Sequence, residues 1–346
     1  MPDAPLPDLN ALPLPDLWEE LSRTGLARRL IELARDEDLG QTGDITAAVT
    51  GRGDDGGGAD EISADLTLRE HGVVAGLAVG TMVCEVFSER LEHGARFETV
   101  LKNGNAVKNG NAVQDGDAVD AGTVVARLVG PRASVVTIER TLLNLVGRLS
   151  GVATRTAEFV RAIEGTSAQI LDTRKTTPGM RMLEKYAVRC GGGRCHRLGL
   201  FDAVLIKDNH VAGLSLDSFA ARIEQSTREA ARLRQDKRIR FVQVEVDTIQ
   251  QLERALAIEP GLIDIVLLDN FTCEQLSAAV RIRSQLHAAL LLEASGGVRL
   301  DTVRGIAETG IERISVGGLT HHAVSLDVGL DVPDAQQTRR GPDNLG

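Results

Sequence analysis

The chain has 346 residues and a formal net charge of −10, with 42% hydrophobic, 25% charged and only 3% aromatic residues. This composition is typical of a globular protein of one large domain or two ordinary ones, with a core of aliphatic side chains. An acidic surface with no Lys/Arg-rich run repels other polyanions, so we expect neither nucleic acid nor anionic lipid as a partner.

The beginning of the chain has neither the basic nor the apolar segment of a signal peptide, and no apolar run is long enough to span a membrane. Four scattered cysteines fit a reducing compartment better than a disulfide framework. We therefore expect a cytoplasmic protein without a membrane partner. The cysteines are Cys84, Cys190, Cys195 and Cys273.

The first half of the chain suggests helices followed by strands. Residues 1–16, rich in Pro and Asp, predict a flexible leader, and residues 17–35 have helical apolar spacing. The Gly- and Asp-rich stretch 51–60 predicts a loop. Short apolar runs separated by glycine turns over 61–130 predict strands. Within them KNGNAV occurs twice, over 102–113, which indicates an expanded hairpin region rather than a solenoid.

A long helical region is predicted from Thr137 to Ile163, with Ser150–Gly151 as an expected break point. Short apolar runs then alternate with helical patterns, which is typical of a parallel sheet, and six or seven such units could close into a barrel. The six runs cover 168–172, 203–207, 241–246, 264–269, 290–293 and 313–317, and the clearest helical patterns cover 216–234, 248–258, 272–288 and 300–309.

Each predicted strand of this second half is followed by a polar, charged or glycine-rich cluster. In α/β barrels the active site is built at the carboxyl ends of several strands, so six such clusters predict a site at that edge. Glycine turns after the last two strands further predict backbone N–H groups that bind a phosphate. The clusters begin at Asp172, Lys207, Glu245, Asp269, Ser295 and Gly317.

The segment 171–210 carries eight basic and four acidic residues, a charge of +4 in an acidic chain. A local positive field of this kind suits a small polyanion. Lys185 and Arg189 fall on one face of a helical pattern over 180–189, where we expect a solvated stripe. The cations at strand ends or in the glycine-rich turn are predicted to bind carboxylate or phosphate groups: Arg174, Lys175, Arg197 and Lys207.

Two acids, Glu245 and Asp269, end neighbouring strands. They could hold ribose hydroxyls, hold a Mg²⁺ ion carried on phosphate oxygens, or form an acid/base pair, although no nucleophile accompanies them. A zinc site at Cys190, Cys195 and His196 is disfavoured, because their spacing lacks a second ligand pair.

Seven motifs in order over residues 35–330 give the chain a specific resemblance. They are EDLGQTGDIT (37–46), ERTLLNLVGRLSGVAT (139–154), the forty-residue block from LDTRKTT to LIKDNH (171–210), VEVDT (244–248), LLDN (267–270), EASGGV (293–298) and ISVGGLTH (314–321). With these motifs the chain resembles the quinolinate phosphoribosyltransferase family. It departs from the family pattern at Cys195, where members often carry Asn or a bulky residue, and in apparent loop insertions at 51–60 and in the KNGNAV duplication.

The resemblance implies an α/β fold with two parts. An N-terminal α/β sandwich domain, residues 17–140 with a return segment 322–334, would precede an open, incomplete α/β barrel of six or seven strands over 141–321. Residues 335–346 would form a flexible tail. Family members form homodimers with shared active sites, and higher oligomers are possible. The resemblance therefore implies that Arg140 of a neighbouring subunit completes each site.

The resemblance also implies a reaction and residue roles. The family is a group of pentosyltransferases that make nicotinate mononucleotide, pyrophosphate and CO₂ from quinolinate and phosphoribosyl pyrophosphate with Mg²⁺, a step of de novo NAD biosynthesis. Glu245 and Asp269 would hold Mg²⁺, directly or indirectly, and act in catalysis with Lys175. Quinolinate would bind Arg140, Thr173, Arg174, His196, Arg197 and Lys207; phosphoribosyl pyrophosphate would bind Lys175, Glu245, Asp269, Ser295, Gly296, Gly317 and His321.

Two alternatives remain open from the sequence. A related phosphoribosyltransferase could use another planar acid such as nicotinate, although two carboxylate-binding clusters argue against an acceptor with one carboxylate. A phosphate-binding barrel without catalysis would need neither the Glu245/Asp269 pair nor Arg140, and both are present.

Overall fold

The computed structural model describes residues 6–50, 61–100, 112–236 and 239–333. The predicted loop 51–60, most of the KNGNAV duplication and the predicted tail 335–346 lie outside the described residues. The chain divides into two compact units. We call them the barrel unit, comprising Met1–Leu12, Arg155–Thr177 and Gly192–His322, and the sandwich unit, comprising Pro13–Thr154, Pro178–Gly191 and Ala323–Gly346.

The sandwich unit begins with two helices where the sequence predicted one. Helix α1 spans Leu14–Ser22 and α2 spans Leu26–Leu39, with α3 following at Ile45–Thr50. Gly25 separates the first two with a φ of 70°. A left-handed residue cannot continue a right-handed helix, so the apolar spacing over 17–35 is carried by two helices instead of one.

A four-stranded antiparallel sheet forms the centre of this unit, as the strand pattern over 61–130 predicted. Alternate residues of its long first strand are buried, from Ile62 to Leu68, which gives that strand one core face. The sheet order is β12-β1-β5-β3 and a separate ladder joins β2 to β4. The elements are β1 Glu61–Leu68, β2 Gly72–Val73, α4 Leu77–Ser88, β3 Arg96–Thr99, β4 Ala118–Val119, β5 Thr123–Pro131 and β12 Val328–Asp331.

Helix α5 runs from Arg132 to Ala162 without interruption, so the predicted break at Ser150–Gly151 is wrong. A Cβ on Gly151 would lie 1.9 Å from the carbonyl oxygen of Val324. The glycine is therefore required for close backbone contact rather than for a kink. The Ser150 hydroxyl accepts a hydrogen bond from the backbone N–H of Ala75 (3.0 Å), which satisfies a polar group inside the helix. Helix α6, Arg181–Cys190, completes the sandwich unit.

The barrel unit contains six parallel strands, and each coincides with one of the six predicted apolar runs. Their order is β6-β11-β10-β9-β8-β7. No ladder joins β7 to β6 within the described ranges, which makes the barrel open, as predicted. The strands are β6 Gln169–Leu171, β7 Val204–Ile206, β8 Val242–Val246, β9 Ile265–Asp269, β10 Leu291–Ser295 and β11 Arg313–Ser315.

Four helices of this unit follow the predicted helical patterns, and two of these four begin with side-chain caps next to the site; the two short helices after β7 and β11 were not predicted. The Thr248 hydroxyl accepts from the N–H of Gln251 at 3.2 Å, and Thr272 forms a capping box with Gln275. These caps end the extended backbone just after Asp247 and Asn270, which fixes those residues at the strand ends. The helices are α7 Asp208–Val211, α8 Leu216–Asp236, α9 Ile249–Leu256, α10 Cys273–Leu286, α11 Val303–Ala307 and α12 Gly318–His321.

The described part of the predicted leader is packed rather than flexible. Residues 6–12 belong to the barrel unit, and Leu9 is 3% exposed. The prediction of a flexible leader is therefore wrong for these residues and for the residues of α1. Composition alone misses this packing, because the segment is held by one buried leucine and by hydrogen bonds to residues far away in the sequence. The stretches 141–154 and 178–191, placed in the barrel by the sequence, belong to the sandwich unit.

None of the helices in the described ranges is long and apolar enough to cross a membrane.

Candidate active site

The carboxyl ends of the barrel strands surround a cavity of about 870 Å³. That volume is typical of a small-molecule site. Of the thirteen residues predicted for the site, twelve line this cavity. They are Thr173, Arg174, Lys175, His196, Arg197, Lys207, Glu245, Asp269, Ser295, Gly296, Gly317 and His321.

The lining is rich in ionic groups of both signs, with cations in excess. Six Arg or Lys side chains face four Asp or Glu side chains, and three histidines add to them. A concave site with this balance attracts anions while leaving carboxylates for hydroxyl groups or a cation. The cations are Arg155, Arg174, Lys175, Arg197, Lys207 and Arg299; the acids are Asp208, Glu245, Asp269 and Glu293.

Residues 194–199, which we call the His-Arg loop, run beside the first barrel strand. Arg194 forms a parallel bridge with Leu171, and the N–H of His196 donates to Oδ1 of Asp172 at 2.8 Å. His196 and Arg197 are buried, at 8% and 6% exposure. The loop therefore holds an imidazole and a guanidinium at the cavity wall with little freedom to move.

The ring of His196 is held on both of its nitrogens. Nδ1 accepts the backbone N–H of Arg197 at 2.8 Å, while Nε2 lies 3.2 Å from Oε1 of Glu293. Because Nδ1 is an acceptor, a proton on the neutral ring lies on Nε2. The ring also packs edge-on against Phe241, with centroids 5.2 Å apart.

Glu293 is fully buried on β10, and its other oxygen accepts from Nε of Arg313 at 2.8 Å. Burial alone would raise the pKa of this carboxyl, but His196 and Arg313 outweigh it and hold the pKa below its usual range. Glu293 is therefore an anion inside the barrel, and it orients the histidine at the cavity wall.

Glu245 lies between a cation and two acids. Its Oε2 is 3.7 Å from Nζ of Lys207. Burial raises the pKa of Glu245 and so does the charge of Asp269, while Lys207 lowers it. Burial and the charges of Asp269 and Asp208 likewise raise the pKa of Asp247. These carboxylates repel one another, and a bound cation or a hydroxyl group that donates hydrogen bonds would reduce that repulsion.

No cluster of three or more His, Cys, Asp or Glu side chains in the described ranges is arranged to hold a metal ion. The donor set of Glu245 and Asp269 alone fits a hard cation that also takes oxygens from water or phosphate, as Mg²⁺ commonly does.

The turn after β10 is built around a close backbone approach. Gly296 has a φ of 89°, and a Cβ there would lie 2.1 Å from Oδ1 of Asn270. Asn270 itself has a φ of 56°, and its N–H donates to the carbonyl oxygen of Ser295 at 2.9 Å. Only glycine fits at 296, so the turn leaves backbone rather than side chain at the cavity wall.

Lys175 is positioned by the turn after β11. A Cβ on Gly317 would lie 2.7 Å from Cδ of Lys175, and the hydroxyl of Thr320 donates to the Lys175 carbonyl oxygen at 2.6 Å. His321 stands nearby. Burial and the positive charges of His322 and Lys175 lower the pKa of His321. This corner of the cavity therefore presents a lysine ammonium beside a histidine that favours its neutral form.

Arg140 is the predicted residue that does not line the barrel cavity. It lies in the sandwich unit, where its side chain is 72% exposed and pairs only with Glu139, at 3.2 Å, among the contacts of the described residues. It lines a separate cavity of that unit together with Asp38 and Asp44.

Sequence reasoning missed several cavity residues and misjudged one helix. Lys185 is fully buried, so the predicted solvated stripe is wrong there; α6 packs inside the sandwich unit with Glu184 and Lys185 enclosed, while Arg189 is partly exposed. The missed residues belong to quoted motifs or adjacent positions, and an acid within the apolar run 290–293 was the available signal for Glu293. The other missed residues with polar side chains are Arg155, Asp208, Asn209, Asn270, Arg299, Ser315 and His322.

The fold and the cavity together define the protein as an open α/β-barrel enzyme that binds small polyanions. Family models described as the quinolinate phosphoribosyl transferase N-terminal and C-terminal domains match residues 44–150 and 152–331. The chain belongs to the quinolinate phosphoribosyltransferase family.

Similar proteins agree with this assignment. The chain is 40% identical to a nicotinate-nucleotide pyrophosphorylase [carboxylating] of Mycobacterium leprae, covering 88% of this chain and 97% of that protein. It is 36% identical to a probable enzyme of the same name in Bacillus subtilis, covering 86% and 90%. A solved nicotinate-nucleotide pyrophosphorylase from Francisella tularensis superposes with a TM-score of 0.72 at 32% identity, covering 94% and 99% of the two chains.

Proposed function

We propose that this protein transfers the phosphoribosyl group of phosphoribosyl pyrophosphate to the ring nitrogen of quinolinate, releasing pyrophosphate and CO₂ and giving nicotinate mononucleotide for NAD biosynthesis. The observation that carries the proposal is the convergence of twelve predicted residues on one cationic cavity. Family membership supports the reaction class.

Quinolinate is a planar dicarboxylate, so its site requires cations on more than one side. Arg174, Arg197 and Lys207 supply them, with Thr173 as a neighbouring hydroxyl. His196 lies beside these cations with its Nδ1 occupied by the loop backbone and its Nε2 by Glu293, so it lines the quinolinate site with its ring. Two carboxylate contacts favour quinolinate over nicotinate as the acceptor.

Phosphoribosyl pyrophosphate occupies the opposite part of the same cavity. Lys175 binds the pyrophosphate, and Glu245 and Asp269 face the ribose hydroxyls. The turns that contain Ser295, Gly296 and Gly317 bind the 5-phosphate with their backbone N–H groups, with His321 beside them. The charge of the leaving pyrophosphate would be compensated by Mg²⁺ bound together with that substrate. Glu245 and Asp269 would hold that ion, directly or through water, together with oxygens of the substrate.

The reaction needs positioning and charge stabilisation rather than a protein nucleophile. The bond between ribose C1 and pyrophosphate breaks with both electrons passing to the leaving oxygen. The quinolinate nitrogen donates its electron pair to C1 through an oxocarbenium-like transition state. The ring nitrogen becomes cationic, and the 2-carboxylate then leaves as CO₂ while its bonding electrons remain on the ring. A proton replaces it at ring carbon 2.

The direct test is to supply purified protein with Mg²⁺, phosphoribosyl pyrophosphate and quinolinate and to measure CO₂ and nicotinate mononucleotide. We expect both products in equal amounts. If folded protein releases no CO₂ above background, the proposed reaction is refuted, and faster turnover of nicotinate than of quinolinate would assign the other acceptor.

We further propose that the protein acts as a homodimer in which Arg140 of one subunit completes the quinolinate site of the other. Arg140 is exposed in the sandwich unit, in a cavity that also exposes the apolar side chains of Ile45 and Val136. In the barrel unit Leu200 and Phe201, just after the His-Arg loop, are 72% and 71% exposed. Apolar side chains exposed beside functional residues are typical of a surface that another subunit covers.

Mixing two inactive variants tests the shared site. We expect Arg140→Ala and Lys175→Ala each to be inactive alone, because every site of either variant lacks one of these two essential cations. Co-expressed in equal amounts, they should regain about one quarter of the wild-type activity, since half of the dimers are mixed and each mixed dimer has one intact site. Size-exclusion chromatography confirms that dimers form. No recovery in proven mixed dimers would show that Arg140 and Lys175 act in the same subunit.

We also propose a cytoplasmic location. The support is that none of the four cysteines, all of which lie in the described ranges, forms a disulfide and that three of them are buried, as expected for a protein of a reducing compartment.

A further inference from the structure

The segment Leu6–Leu12 is attached to the barrel unit next to the His-Arg loop. Leu9 is buried in that unit, and the side-chain amide of Asn10 bonds to the loop. Arg194 Nη1 donates to the carbonyl oxygen of Asn10 at 3.0 Å, and Arg240 donates to that of Pro7. The segment is therefore fixed at three points by residues of the barrel unit.

Asn10 pairs with both backbone polar groups of Cys195. Its Oδ1 accepts the Cys195 N–H at 2.7 Å, and its Nδ2 donates to the Cys195 carbonyl oxygen at 3.0 Å. A side-chain amide imitates here the two hydrogen bonds of a neighbouring strand. Cys195 is only 6% exposed, so water cannot readily replace a lost bond to its backbone.

The backbone that Asn10 holds leads directly into two residues of the cavity. On the far side of His196 and Arg197, Asp202 accepts the N–H groups of Leu198 (2.9 Å) and Gly199 (3.0 Å). Asp202 also pairs with Arg240 at 3.2 Å, the residue that holds Pro7. The His-Arg loop is thus held by hydrogen bonds at both ends, and the segment Leu6–Leu12 makes those at one end.

We propose that Asn10 is a positioning residue for quinolinate binding, because its two hydrogen bonds to Cys195 fix the backbone that presents His196 and Arg197 to the acceptor. The proposal rests on the function proposed above. It assigns a role in the quinolinate half of the cavity to a segment whose composition suggests only a flexible leader. The phosphoribosyl pyrophosphate half is built on other strand ends, so it should be unaffected.

The test is steady-state kinetics of Asn10→Ala, varying each substrate at a saturating level of the other. We expect the KM for quinolinate to rise about tenfold, because small displacements of substrate-binding groups have large effects, while the KM for phosphoribosyl pyrophosphate stays within about twofold. Asn10→Asp keeps the acceptor for the Cys195 N–H but places a carboxylate oxygen against the Cys195 carbonyl oxygen, so it should also raise the KM for quinolinate. Ala11→Ser, at the exposed neighbouring position, is the matched control and should behave as wild type.

Hydrogen exchange of the amides of residues 195–197 provides a readout that does not depend on activity, and it should be faster in Asn10→Ala. The proposal is overturned if the KM for quinolinate is unchanged, or if both KM values rise together with a general loss of thermal stability. If Asn10→Ala does not fold, the same kinetics are measured on Asn10→Asp, and the same results for the two KM values support or overturn the proposal. Inactive wild-type protein would instead refute the proposed reaction itself, and the exchange experiment would then still judge the role of Asn10 in holding the loop.

Discussion

Lys175→Ala is expected to lower kcat by about 10²–10³-fold at saturating concentrations of both substrates. The ammonium of Lys175 is the cation that the turn after β11 holds at the cavity wall, with its methylene chain against Gly317 and its backbone carbonyl bonded to Thr320. If Lys175 faces the pyrophosphate, its charge matters most as the leaving oxygen gains electrons. Losing it should therefore slow the chemical step more than it weakens substrate binding.

The matched comparison is Arg174→Ala, at the adjacent position in the same cavity. That variant should raise the KM for quinolinate sharply, because it would remove a proposed carboxylate contact, and should change kcat less. Circular dichroism and thermal melting confirm that both variants fold. A Lys175→Ala enzyme with normal kcat and an elevated KM for quinolinate would contradict the separate roles given to the two cations.

Glu293→Ala is expected to cost about 3–5 kcal/mol of the free energy of unfolding, the largest stability effect among these variants. Glu293 is fully buried and lies against both Arg313 and His196. Its removal would leave the Arg313 guanidinium, whose side chain is 14% exposed, without its carboxylate inside the barrel. Denaturant unfolding, monitored by circular dichroism, measures the loss.

Asp301→Ala serves as the control, because the ion pair of Asp301 with Arg299 is about 70% exposed on both sides. Water screens the charges of an exposed pair, so this variant should unfold nearly as wild type does. Glu293→Gln keeps the size of the side chain but not its charge, and should be intermediate in stability. Equal stability of Glu293→Ala and wild type would show that the buried carboxylate does not hold Arg313 and His196.

The barrel and most of its site could be predicted from the sequence because both depend on local patterns. Each strand is a short apolar run, and the residue that ends it, such as Glu245 or Asp269, is polar. Since parallel strands share one carboxyl edge, adjacency in space follows from position along each strand. The excess of cations in 171–210 and the glycine turns could be recognised in the sequence without any knowledge of how the chain packs.

Features that depend on distant contacts were not predictable in this way. Gly151 looks like a helix break, but it lies in a continuous helix because the backbone at Val324 passes against it. Lys185 looks solvated from its helical spacing, but the sandwich unit encloses its side chain completely. The composition of residues 6–12 shows no sign of the hydrogen bonds between Asn10 and Cys195. In each case the deciding partner lies far away in the sequence.

The open edge of the barrel has a consequence for solubility. β6 has only three residues, and on the side away from β11 its backbone would be free to pair with a strand of another chain, the usual route to edge-to-edge aggregation. Arg194 occupies that side: its N–H donates to the Ile170 carbonyl oxygen at 2.8 Å, and its own carbonyl oxygen accepts from Asp172 at 3.0 Å. The loop that carries His196 and Arg197, two of the residues proposed to bind quinolinate, therefore also covers an exposed sheet edge, so a substitution that loosens this loop is expected to promote aggregation as well as to disturb the proposed site.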